Sequence, residues 1–201
     1  MAIKLFLTST ELLPHQHQNL RDIIGRNLSE IRCALIENAA DPYGDIEQDF
    51  VTLNRDALIA TGMKIEQLDL RVYEGSIEDY DIVWLGGGNT FYLRYILKNF
   101  EDKIKEHIEK GKVLAGSSAG ALVLGPSIKE IDNVDNPYLS PEIIGIGIGL
   151  TKFCVLSHKD NPNFKEQLNK SVSKFETKGF EVIQIVDGQV FVQTDDSYKI
   201  I

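Results

Sequence analysis

Apolar positions along this chain come in two patterns that take turns. Short continuous runs, suited to buried strands, alternate with stretches where apolar residues recur every three or four positions, as on one face of a helix. Residues 3–8 read as a first buried strand, and residues 15–28 as a helix with Leu20, Ile23, Ile24 and Leu28 on one face. Residues 31–36 form a second short apolar run. Residues 45–61 read as a helix on the spacing of Phe50, Leu53, Ala57 and Leu58, closed by Gly62. A strand over 65–70 follows, and another over 82–85 runs into Gly86-Gly87-Gly88-Asn89-Thr90. The next helix carries Phe91, Leu93, Ile96 and Leu97, and a more charged one covers 100–110. Strands over 113–115 and 153–156 flank a stretch, 127–152, with no clear helix, although isoleucine alternates with glycine over 143–150. A helix over 163–174 precedes two closing strands, 182–186 and 189–193, joined by Asp187-Gly188 in the manner of a hairpin.

Strands alternating with helices imply an α/β fold, a mainly parallel sheet with helices on both faces. A length of 201 residues suits one such domain, spanning 1–201, with a full core. In open sheets of this kind, sites form at the carboxyl ends of the strands. The glycine loop 86–90, Ser118 and His158 all directly follow expected strands, so they are expected to cluster on one edge.

Composition narrows the function. Apolar content of 43% and charged content of 25% are ordinary for a soluble globular chain. A formal net charge of −9, with no basic stripe, speaks against nucleic acid as partner. Cys33 and Cys154 lie in apolar runs and read as buried small hydrophobes, and no Cys/His spacing suggests a metal. No apolar run approaches membrane-spanning length, and the apolar N-terminal stretch is too short for a secretion signal. A cytoplasmic protein without cofactor or metal is expected, either monomer or homodimer.

The most informative stretch is Lys112-Val113-Leu114-Ala115-Gly116-Ser117-Ser118-Ala119-Gly120-Ala121-Leu122. A strand stops at Gly116 and a helix begins after Gly120, with Ser118 at the apex of the turn between them. A serine hydroxyl is a weak nucleophile that needs exposure, a base and nearby N–H donors for a developing oxyanion. A strand-to-helix elbow supplies exposure and the free amides of a helix start. The bland alternative is a glycine-rich turn capped by Ser118; Ser117 stands one position early for a nucleophile.

Of the four histidines, His15 and His17 open a polar helix and His107 sits in the charged one, where all three read as solvated. His158 alone ends a buried strand and is positioned to act as base. Its other nitrogen needs an acceptor. Between Ser118 and His158 the chain offers Glu130, Asp132, Asp135 and Glu142, among which the residues themselves do not choose. The loop 86–90 reads as a phosphate cradle, an oxyanion donor facing the elbow, or a capped turn. It lacks the lysine of a phosphate loop and the spaced glycines of a dinucleotide site, which favours the oxyanion reading.

Leu85-Gly86-Gly87-Gly88-Asn89-Thr90-Phe91 taken together with Gly116-Ser117-Ser118-Ala119-Gly120-Ala121 resembles the S51 serine peptidases, the group of dipeptidase E (aspartyl dipeptidase) and cyanophycinase. The resemblance implies a three-layer sandwich like that of class I glutamine amidotransferases, with serine in place of their cysteine. It implies hydrolysis of short peptides, typically with aspartate at the N-terminus, through a Ser-His-acid charge relay. By position it makes Ser118 the nucleophile, His158 the base, and the amides of Gly88 and Ala119 the oxyanion hole. Asp135-Asn136-Pro137 echoes the family's Asp-x-Pro and implies Asp135 as the acid, with Asp132 and Glu130 as alternatives. Ser157-His158 departs from the family's Pro-His. An acidic substrate side chain would need a cation, for which Arg94, Lys159 and Lys165 are near in sequence. An esterase or amidase on the same machinery, or a non-catalytic relative binding a small ligand or partner, stays open.

Overall fold

A computed structural model describes residues 3–44 and 48–201. Five strands form its parallel heart: β1 (Lys4–Thr8), β2 (Arg32–Ile36), β3 (Lys64–Gln67), β4 (Ile82–Leu85) and β5 (Val113–Ser117). Their order across the sheet is β3-β2-β4-β5-β1, and two antiparallel strands, β8 (Val190–Thr194) and β9 (Ser197–Ile200), extend it beyond β1. A separate parallel pair, β6 (Phe153–Leu156) and β7 (Glu181–Gln184), stands apart from it.

Side chains alternate across a strand, so each central strand feeds two cores. Leu5, Leu7, Val83, Leu85 and Leu114 pack on one face with Leu93 and Leu97 of α3 (Thr90–Leu97) and Ile104 and Ile108 of α4 (Glu101–Glu109). Phe6, Cys33, Leu35, Trp84 and Ala115 pack on the other with Leu20 and Ile23 of α1 (His17–Ile24) and Leu58 of α2 (Asp49–Ala60). Burial on both faces is why these strands are almost wholly apolar. A third cluster joins β6 and Leu122 of α5 (Ala119–Leu122) to Leu168 and Phe175 of α6 (Lys165–Thr177). The result is the expected three-layer α/β arrangement. Among the described residues no helix is long and apolar enough to cross a membrane.

The structure differs from the sequence reading in several places. The expected hairpin through Asp187-Gly188 does not form: β7 pairs in parallel with β6, while β8 crosses to β1 and turns back at Asp195 into β9. The helix read over 15–28 closes early, because Gly25 adopts φ 80 and ends α1. The start of the helix read over 45–61 falls on residues 45–47, outside the described residues. In α2 itself the face toward the core is Val51, Asn54 and Leu58, whereas Phe50 and Leu53 are exposed at 42% and 56%. His107, expected to be solvated, is 2% exposed and its Nε2 lies 3.0 Å from the Val113 carbonyl oxygen. Burial first of all brings its pKa down to about 4.

Candidate active site

Strand β5 ends in a sharp elbow. Ser118 sits at φ 51, ψ −108, a conformation that costs a side-chain-bearing residue of order 1–3 kcal/mol. The surroundings hold it there. The Ser118 N–H donates to the Thr8 carbonyl at the end of β1, and the Ser118 carbonyl accepts from Ala121 and Leu122 as α5 begins. Glycine is required on both sides. A Cβ on Gly116 would lie 2.4 Å from the Gly120 carbonyl oxygen, and one on Gly120 would lie 2.1 Å from that of Leu85. The turn therefore presses directly on the carboxyl end of β4.

The loop leaving β4 closes over the elbow. A Cβ on Gly87 would sit 3.5 Å from that of Ser118, so this backbone runs alongside the serine. Gly88, at φ 142, packs against Ala39, whose carbonyl accepts from the Asn89 N–H. The Asn89 side chain caps α3 by accepting from Tyr92 N–H. Asn89 thus caps α3 while the loop's backbone at Gly87 runs beside Ser118. Neither the Gly88 nor the Ala119 N–H donates to a protein acceptor among the described residues.

Ser117, one residue earlier, points the other way and is locked. Its Oγ accepts from Trp84 Nε1 at 3.1 Å and lies 3.0 Å from both Thr8 Oγ1 and Asn54 Oδ1. Ser118 is the partly exposed one, and its Oγ lies 3.0 Å from His158 Nε2.

His158 follows β6 in a left-handed conformation, φ 64, with its N–H donating to Ser9 Oγ. Its ring packs against Phe164, centroids 5.3 Å apart. The carboxylate on its Nδ1 is Asp187, at 2.6 Å. This corrects the expectation that the acid lies between Ser118 and His158. Because β6 and β7 are parallel and pair Leu156 with Gln184, the residues just past both strands emerge together, His158 from one and Asp187 from the other. Asp187 also accepts from Ser9 Oγ at 2.7 Å and Asn161 Nδ2 at 3.3 Å. Burial works to raise its pKa, but these hydrogen bonds, with that of His158 and the imidazole charge, outweigh burial and hold it below the usual carboxylate value.

The other acids are engaged elsewhere. Asp135, implied by the resemblance, accepts the Thr90 N–H at 2.8 Å through Oδ2 rather than holding the imidazole. Asp132 pairs with Lys174, Glu142 with Lys98, and Glu130 with Ser127 and Lys178. Of these four acids, Asp135 alone lines a cavity with Ser118 and His158. That cavity, about 410 Å³, is walled by Tyr43, Phe50, Leu53, Val134 and Phe164. Of the cations suggested for an acidic substrate, none lines it: Arg94 is buried against Glu101 and the Ile146 carbonyl, and Lys159 and Lys165 are exposed side chains outside its lining.

A serine on a strand-to-helix elbow, within hydrogen-bonding distance of a histidine in a three-layer α/β fold, is the arrangement of a class of hydrolases. The particular family follows from comparison: residues 5–201 match the model of peptidase family S51, and the chain belongs to that family. It is accordingly a peptidase, serine-type by its family. An uncharacterized peptidase of Listeria innocua is 30% identical over 155 residues, 73% of this chain and 74% of its own. Peptidase E of Shewanella oneidensis is 32% identical over 108 residues, 50% of this chain and 44% of its own. Among solved structures, a candidate peptidase E from Listeria monocytogenes EGD-e superimposes with a TM-score of 0.84 at 24% identity, over 100% of this chain and 98% of its own. A peptidase from an acI-B1 Actinobacterium does so at 0.71 and 19% identity, over 100% and 88%.

Proposed function

We propose that the protein hydrolyses short peptides by an acyl-enzyme mechanism in which Ser118 is the nucleophile, His158 the general base and acid, and Asp187 the carboxylate that orients the imidazole. The observation that carries this reading is the unbroken chain Ser118 Oγ–His158–Asp187, with contacts of 3.0 and 2.6 Å. Asp187 accepts from Nδ1–H, which leaves Nε2 unprotonated and able to take the serine proton. As Oγ bonds to the peptide carbonyl carbon, its proton passes to Nε2 and the carbonyl oxygen becomes an oxyanion. The amides of Gly88 and Ala119 are the donors assigned to it, and neither has a competing acceptor among the described residues. The tetrahedral intermediate then breaks its C–N bond, and the imidazolium gives the proton to the departing amine. Water, deprotonated by the same imidazole, attacks the ester and releases the acid product and Ser118.

The cavity argues about substrate as well. Its aromatic and aliphatic wall and its lack of lysine or arginine among the described lining residues favour a peptide with an apolar N-terminal residue over an aspartyl one. A panel of X-Leu dipeptides checks this: Leu-Leu and Phe-Leu are expected to exceed Asp-Leu in kcat/KM by about tenfold or more, the worth of a buried apolar side chain. Asp-Leu as the best substrate would reverse it. The mechanism itself is tested by a simple alkyl fluorophosphonate, which reacts only with an activated serine. One adduct per chain, on the peptide bearing Ser118, is expected; an unreactive protein would contradict the mechanism.

A further inference from the structure

Asp135 is a half-buried carboxylate in the wall of the catalytic cavity, and the relay makes no use of it. Its Oδ2 is docked on the Thr90 N–H, and the next residue is tied down as well, since the Asn136 carbonyl accepts from Asn89 Nδ2 at 3.0 Å. Asn89 and Thr90 directly continue the loop 86–88 that runs beside Ser118. The carboxylate is thus fixed to the same backbone that contacts the nucleophile. A carboxylate turned partly away from water gains from a counter-charge. Among the described residues lining the cavity the charged groups are Glu11, Asp135 and the imidazole, with no lysine or arginine. Among its described lining residues the space therefore has two acids and no permanent positive group.

We propose that Asp135 binds the free α-ammonium group of the substrate and so restricts cleavage to the bond after the N-terminal residue. The proposal rests on Ser118 being the nucleophile. In a peptide the α-nitrogen is separated from the first carbonyl carbon by a single Cα, so the group that anchors it must share a cavity with the attacking oxygen, and Asp135 and Ser118 line the same one. An α-amino group is cationic at neutral pH. It supplies the missing positive charge, while Thr90 N–H keeps the other carboxylate oxygen oriented. Burial raises the pKa of Asp135 and its hydrogen bonds to Thr90 oppose that; a bound ammonium would oppose it further. Glu11 is the other acid in the cavity and serves as the comparison.

The test uses two covalent probes on the full chain, an α-aminoalkyl diphenyl phosphonate with a free amine and its N-acetyl derivative. In each, the Ser118 oxygen bonds to phosphorus, phenoxide departs and takes the serine proton. The free-amine probe is expected to inactivate the wild-type protein about 10–100-fold faster than the acetylated one, the worth of a charged hydrogen bond. In Asp135→Asn, whose amide oxygen can still accept from Thr90, this ratio is expected to fall to near one, whereas Glu11→Gln retains it. Equal rates for the two probes in wild type, a ratio kept by Asp135→Asn, or a ratio lost in Glu11→Gln would each overturn the proposal. The wild-type comparison decides even where a variant fails to fold. Loss of reaction with a simple fluorophosphonate would instead strike the underlying assignment of Ser118.

Discussion

The elbow and the loops that face it are built from different kinds of information. From Val113 to Gly120 every requirement of the turn stands beside the serine: an apolar strand, small residues where carbonyls crowd, and a helix start. The imidazole and its carboxylate, His158 and Asp187, are 29 residues apart and meet because β6 and β7 pair in parallel. A turn enforced by neighbouring glycines is legible in one dimension. A contact made by strand pairing is legible only once the partners are known. The half of the proposed site that carries Ser118 is thus local and strained, and the half that carries His158 and Asp187 is tertiary.

Removing the nucleophile should have the largest effect. Ser118→Ala is expected to lower kcat by at least about 10⁴-fold on any peptide the wild type cleaves, with the melting temperature shifted by no more than about 2 °C. Residual turnover within tenfold of wild type would show that the elbow is not where the chemistry occurs.

Next in size is a test of the local half alone. In Gly120→Ala the new methyl group meets the Leu85 carbonyl, a main-chain atom of β4 that cannot rotate away. Urea denaturation should show a loss of about 3 kcal/mol or more, toward the upper end of overpacking costs. A loss under about 1 kcal/mol would mean that the turn and β4 are less tightly abutted than described.

A smaller effect belongs to the core beneath α4, remote from both halves. His107 has a folded pKa of about 4, below its unfolded value of 6.5. As pH falls, the unfolded chain takes up the proton first, so the contribution is complete above pH 6.5 and is lost between pH 6.5 and 4. From pH 7 to 5 this amounts to about 2 kcal/mol of unfolding free energy. His107→Gln, which can still donate to Val113, should flatten the dependence by that amount. Identical pH profiles would remove His107 from the account.

The sequence made most of the fold legible, because β1, β2, β4 and β5 are buried on both faces and read as short apolar runs. It hid β9, since Ser197-Tyr198-Lys199-Ile200 is exposed at every position and carries no burial signal. It misdirected the reading of α2, where two apolar rows coexist and Phe50 and Leu53 face the cavity instead of the core. His107 looked solvated because its neighbours in sequence are charged, although its own face of α4 is buried. Within the site, Ser118, His158 and the glycine loop could all be found from strand ends. Asp187 was equally a residue at a strand end. Its pairing with Gly188 reads as a two-residue hairpin turn, and that local signal concealed a position where the chain passes from one sheet to the other.

The relay half is tested most directly by comparing Asp187→Asn with Asp135→Asn in steady-state kinetics on a free-amine dipeptide. The account predicts that Asp187→Asn lowers kcat about 10⁴-fold by favouring the wrong imidazole tautomer, whereas Asp135→Asn acts chiefly through KM. A kcat that survives in Asp187→Asn within about tenfold and collapses in Asp135→Asn would return the orienting role to Asp135 and contradict the geometry on which the mechanism stands.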